Sequence, residues 1–408
     1  MNIQLLIYLC SMIAVYFFAE HRKSVGYVWT IAYFLLAWLL EALSPPYLTA
    51  IYALLAISII LTCEVLIRLG VDPFSPRSIQ SGVKRGLNFI KLSPKTEFLQ
   101  AKDHPSAVKA IQLMEKSDWR QLHQFISNLG DSDRHTVYQA LAENETNAKQ
   151  IKRWLEVNPD CEIAHVVSGF KYIHRGWQIR GSGTADQVAA KAWKQFFIAL
   201  SLAEQAFQKA INIKDNCSNP YVGLITVAMG ASIGVESLWK YFAKGASLSP
   251  RNYQLYSAMI HACAPKWGGD ASDMFEVAKT VCDEAPRKSA VRTCLIAAHV
   301  EHWLSLSMMD EKEMAGKYFQ QSSVRNDIKH VYSEVKSLDH SRLSHVEAKN
   351  VLAFCLDKAG MYVEFRELIP QMKNKYVEYP WIYYEESTLS AFDTAYALDH
   401  VLKKHGFL

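Results

Sequence analysis

Cysteine is sparse in this 408-residue chain, with eight residues and no Cys-x-x-Cys pair. That excludes a disulfide scaffold. Excess charge is also lacking: 44 Lys and Arg against 40 Asp and Glu leave +4, too little for a nucleic-acid binder. There is no Gly-x-Ser-x-Gly elbow, no His-Glu-x-x-His string and no recognisable nucleophile–base arrangement. Gly181-Ser182-Gly183 has neither the spacing nor the following Lys-Ser/Thr of a phosphate loop. No cofactor motif is present. Period-two alternation bounded by hairpin turns does not recur, so a β fold is excluded. Disorder is excluded by what is abundant: ten Trp, twenty Tyr and eighteen Phe supply ample burial.

Long apolar runs are concentrated at the start. They cover Ile3 to Ala19, Val25 to Leu43 and Tyr47 to Leu69. Crossing ~30 Å of hydrocarbon takes ~17–25 apolar residues as a helix, so all three are long enough to span. The first run carries its cations after it, at Arg22 and Lys23, the reverse of a cleaved signal peptide. The loop Glu20 to Ser24 is basic, Ser44-Pro45-Pro46 has no cation, and Arg68, Arg77, Lys84 and Arg85 follow the third run. Positive loops stay inside. The N-terminus is therefore expected outside and everything after Leu69 in the cytoplasm. Glu41 lies at headgroup level, and Glu64 shares a helix face with Arg68. Pairing and snorkelling explain both acids without invoking transport.

Residues 70–105 carry Pro73, Pro76, Pro94 and Pro105 and read as a basic juxtamembrane linker. Within it, Ser78 to Lys91 has the spacing of a short amphipathic helix suited to anionic headgroups. Residues 106–408 show helical periodicity throughout. Ile163, Val166, Val167, Phe170, Ile173 and Trp177 form one apolar stripe. Trp193, Phe196, Phe197, Leu200, Ala203, Phe207 and Ala210 form another, on a helix predicted over Ala185 to Ile213. Thr184 with Gln187 fits a capping box, and Asp270 fits an N-cap. Asn158-Pro159, Asn219-Pro220, Ser249-Pro250 and Ala285-Pro286 each separate two helices, at spacings of 61, 30 and 36 residues. Ala206-Phe207 to Ala210 then Pro220 parallels Phe242 to Ala246 then Pro250. This is a degenerate tetratricopeptide-like pattern. The predicted fold class is all-α: three transmembrane helices, then a tetratricopeptide-like α-solenoid with a concave binding surface.

Two motifs stand out. One is Trp177-Gln178-Ile179-Arg180-Gly181-Ser182-Gly183-Thr184-Ala185, the other Pro265-Lys266-Trp267-Gly268-Gly269-Asp270. With the helix array between them and Ala298-His299-Val300-Glu301 downstream, residues 105–310 resemble a bacterial helical domain of unknown function. Its members carry a Trp-x-x-Arg-Gly-x-Gly turn and a Pro-Lys-Trp-Gly-Gly loop. The resemblance implies a helical body and no established activity. Combined with the spans, it suggests a multi-pass protein of the bacterial inner membrane.

Trp177, Arg180, Lys266 and Trp267 are the candidate binding residues, since Arg and Trp are frequent interface anchors. Turn chemistry alone also accounts for them. Gly181, Gly183, Thr184, Pro265, Gly268, Gly269 and Asp270 are the structural turn residues of these loops. His299 and His302, three apart on a helix, are the metal-ligand candidates, with His261 or Glu276 as a third donor. A metal-dependent enzyme or membrane-coupled sensor using His299, Glu301 and His302 is the alternative function. Cys161, Cys217, Cys263, Cys282, Cys294 and Cys355 fall in apolar helices and read as core. The leading expectation is a membrane-anchored scaffold or regulator whose partner is a protein, with the lipid bilayer as its second contact.

Overall fold

In the computed structural model, the chain divides after Ser93, and the unit from Pro94 to Leu408 is all-helical. The structure describes residues 96–181, 185–308, 311–384 and 391–408. The three apolar runs and the 78–91 stretch lie outside the described residues. Among the described residues, no helix is long and apolar enough to cross a membrane.

The helices are α1 (Pro105–Glu115), α2 (Trp119–Ser127), α3 (Asp131–Glu143), α4 (Ala148–Val157), α5 (Glu162–Arg180), α6 (Ala190–Ile213), α7 (Asn219–Ala231) and α8 (Val235–Leu248). They continue as α9 (Tyr253–Cys263), α10 (Ala271–Glu284), α11 (Cys294–Met308), α12 (Lys312–Tyr318), α13 (Ser322–Val335), α14 (Leu343–Lys358), α15 (Tyr362–Leu368) and α16 (Ala391–Lys404). The long helix predicted from Ala185 starts later. Ala185–Gln187 forms a 3-10 turn, and α6 begins at Ala190 with no side-chain cap. Thr184 of the proposed capping box lies outside the described residues. Asp270 does cap α10, accepting from the Ser272 N–H.

Most helices pack on their chain neighbour, and α3, α5, α7, α9 and α11 also pack each on the one two further along. This makes an inner row, with α4, α6, α8 and α10 set against its back. Small residues permit close approach. Phe207 of α6 is fully buried, and its ring lies against Gly169 of α5 and Gly223 of α7. A Cβ on either glycine would overlap that ring. Arginines close two outer helices by the same device. Arg134 donates to the carbonyls of Ile126 and Ser127 at the end of α2, and Arg292 to those of Ala285 and Pro286 after α10. Carbonyls at a helix C-terminus lack the next turn's N–H groups, and these guanidinium groups supply donors there.

The row does not remain an open solenoid. Helix α14 packs on both α11 and α3, and Ser132 Oγ of α3 lies 2.9 Å from Ser344 Oγ of α14. A small apolar cluster of Ala101, Ala107, Ala140, Leu343, Val346 and Val377 sits at this closure. The inner helices therefore surround a central hollow. Residues from Thr96 onward, at the end of the stretch read as linker, lie on the body. Phe98 forms a parallel bridge with Tyr376, and the Leu99 N–H donates to the Tyr376 carbonyl at 2.7 Å.

Gly223→Ala tests the packing at Phe207. Alanine is the better helix former by about 1 kcal/mol. The Phe207 overlap is expected to outweigh this and destabilise the full chain by about 1–3 kcal/mol, with partial recovery in Gly223→Ala/Phe207→Leu. Denaturant unfolding measures it, and a neutral or stabilising Gly223→Ala contradicts the packing.

Candidate functional site

The hollow is a cavity of about 760 Å³. Its walls come from α3, α5, α7, α9, α11 and α14, from the extended segment at Phe98, and from Val377 to Tyr379. Aromatic rings of Phe98, Phe170, Trp177, Tyr253 and Tyr379 form much of the surface. Four glutamates line it (Glu143, Glu301, Glu347 and Glu378), with three histidines and no lysine or arginine. His135 adds no charge at neutral pH, because burial pushes its ring down to about 4. Among the described residues, the acids of this cavity outnumber its permanent cations.

These acids are held differently. Glu301 on α11 is almost fully buried, and Lys266 Nζ lies 2.7 Å from its Oε2. His261 Nδ1 lies 3.0 Å from Oε1. Trp267 Nε1–H donates to His261 Nε2 at 3.2 Å, so the ring proton sits on Nδ1 and points at the carboxylate. Burial alone would push the Glu301 carboxyl up. The His261 ring and the Lys266 ammonium outweigh it and hold it down at about 2. Stripping either partner from a buried charge costs about 3–5 kcal/mol, so this cluster locks α9 and the Pro265–Trp267 turn to α11. Glu143 accepts from Gln139 Nε2 at 2.9 Å.

Glu347 on α14 has no such support. Its one hydrogen bond among the described residues is from Gln254 Nε2, at 3.3 Å to Oε2. Gln254 is set by Ser132, whose Oγ lies 3.3 Å from its Oε1. Burial pushes the Glu347 carboxyl up to about 7. Burial raises Glu378 as well.

The two sequence motifs meet beside the cavity. Trp177 and Trp267 stand edge to face with ring centroids 5.4 Å apart. The Arg180 guanidinium lies 5.2–5.8 Å from the rings of Trp193, Trp177 and Trp267. Lys266 points the other way, into Glu301, and its ammonium also faces the Tyr383 ring at 5.4 Å. Turn geometry explains the glycines. Gly181 and Gly268 adopt positive φ of 72° and 81°, and a Cβ on Gly269 would strike the Cys263 backbone. Gly183 lies outside the described residues.

The histidine pair is separated from Glu301. His299 Nδ1 lies 2.7 Å from the Tyr318 hydroxyl and Nε2 lies 3.1 Å from Asp327 Oδ2, so both ring nitrogens are engaged. His302 sits between Phe275 and Tyr318, edge-on to the first ring and tilted against the second, and Glu301 turns to the cavity with His261. Glu276 is exposed. The described group with three metal-type donor atoms within 4.8 Å is a different one, His123, Cys161 and Glu162. There Glu162 is shared between His123 and Lys214, and burial keeps the Cys161 thiol protonated by pushing it up to about 11. All six cysteines of the body are free and buried.

Glu347 gives the stability of the fold a pH signature. An ordinary glutamate releases its proton near 4.5, whereas the folded chain keeps this one to about 7. The folded state therefore holds the extra proton between those values. Its stabilising contribution is full below the window and is lost as pH rises through it. Glu347→Gln removes the dependence. Its stability relative to the parent should grow between about pH 5 and about pH 8, by as much as about 3 kcal/mol. Urea unfolding across this range measures the difference, and a flat difference contradicts the assignment.

Residues 105–230, from α1 to the end of α7, match the family described as Domain of unknown function (DUF4034). The match includes the Trp177 motif and ends before Pro265. No curated protein matches the chain.

Proposed function

We propose that this chain is a membrane-anchored scaffold or regulator whose helical body, displayed to the cytoplasm, holds an extended segment of a partner protein in its central cavity. One observation carries the binding half of this reading. The cavity wall already receives extended backbone, that of the chain itself, through the Phe98–Tyr376 bridge and the Leu99–Tyr376 hydrogen bond. Main-chain pairing of this kind is sequence-tolerant, and side-chain pockets beside it supply selectivity. The anchoring half rests on the three apolar runs and the basic residues around them. A tether raises the effective concentration of a weak binder near membrane-bound partners. Assembly of a membrane complex, or immunity to a toxin acting at the membrane, are settings that use such a device.

Photocrosslinking in cells tests the reading. A benzoylphenylalanine at Gln139 or Thr226 on the cavity wall should capture one discrete partner, joined through a single stretch of its sequence. The same group at Ile198, on the exposed side of α6, should not. Adducts from Ile198 alone, or none from any position in a folded protein, overturn it.

A further inference from the structure

We propose that the cavity selects a cationic side chain, lysine or arginine, on the segment it holds, and that Glu347 and Glu378 receive it. This deepens the preceding reading and rests on it.

Charge complementarity points to a cation. The lining contains four glutamates and neither lysine nor arginine. Lys266 reaches one of those acids from behind the wall, and that acid, Glu301, is already satisfied by it and by His261. Glu143 is bonded by Gln139 at the rim. Two carboxyls remain without a cation among the described residues. Among the described residues, Glu347 is bonded only through Oε2, to Gln254, and it lines the cavity. Glu378 lines the same space with no side-chain partner among the described residues. A carboxylate left in a partly desolvated wall is costly unless a charge meets it there.

The supporting residues give the site its shape. Ser132 and Ser344 tie α3 to α14, and Ser132 donates to the Gln254 amide, which in turn orients Glu347. The Phe170, Tyr253 and Tyr379 rings present faces and edges that suit the aliphatic stem of a lysine or the plane of a guanidinium. The burial that raises both carboxyls is consistent with this role, because it makes them responsive to an arriving cation. The extended segment at Phe98 shows how main chain enters along the wall. Together these features favour a cation carried on a peptide over a free amine.

The test uses the full chain in detergent and pools of heptapeptides with mixed flanks and a fixed central residue: Lys, Arg, Gln or Glu. Free spermidine is titrated in parallel. One charge-assisted contact predicts that the Lys and Arg pools bind about tenfold to a hundredfold tighter than the Gln pool. The Glu pool should be weakest. Glu347→Gln/Glu378→Gln should abolish the preference while keeping the near-ultraviolet dichroism of the parent. Pools that bind without charge preference, or a preference that survives in the double variant, overturn the cation assignment and leave peptide binding standing. Spermidine binding that depends on Glu347, with no pool bound, keeps the cation site and overturns the peptide reading. If no pool and no amine binds, both fall.

Discussion

An inner helix of this body is packed on every side but one, and that side faces the hollow. This constraint governs the rest. Helices α3, α5, α7, α9 and α11 each touch neighbours in the row and an outer helix at the back. When α14 returns to α3, the row closes, and the remaining face of each inner helix meets the cavity. Polar groups on those faces must be paired or must wait for a ligand. The Glu301, Lys266 and His261 cluster is the fully paired case, and Glu347 on the closing helix α14, bonded by Gln254, is the sparsely paired one. The same rule explains why the two conspicuous motifs lie together. Trp177 ends an inner helix, Trp267 sits in the turn after another, and the row brings those ends side by side.

Much of the helical body was legible in the sequence because its periodicity is strong. The stripes from Ile163 to Trp177 and from Trp193 to Ala210 appear as α5 and α6. The Asn-Pro and related dipeptides do separate or begin helices, because proline is tolerated in a first helical turn and not in an interior. Phe197, assigned to the apolar stripe, is nearly half exposed, at 46 %. It lies one step round from Phe196, and a stripe drawn at three-and-four spacing cannot say which of two adjacent rings faces inward. The start of α6 was misplaced because no side chain caps it.

The site was only partly legible. Trp177, Arg180 and Trp267 could be singled out because rare residue types recur beside glycines, and the fold gathers those three. Lys266 belongs to the same set of candidate binding residues, but its side chain is only 10 % exposed and is paired with Glu301, 35 residues further along. Glu347 gave no signal. A glutamate between His345 and Lys349 on a polar-looking helix has the pattern of a solvated face. Its setting arises only when α14 meets α3, and the Ser132–Ser344 contact spans 212 positions of sequence. His299 and His302 share a helix, yet both nitrogens of His299 are committed to Tyr318 and Asp327, contacts that spacing cannot reveal.

Holding a partner segment is the role proposed for this closed helical row. Hydrogen exchange on the full chain, with and without a partner captured through the cavity wall, tests this most directly. Occupancy of the hollow predicts new protection on the inner helices α3 and α9, on the closing helix α14 and on the Leu99 amide, with α6 and α8 unchanged. Protection confined to α6 and α8, with the inner helices unaffected, would contradict it.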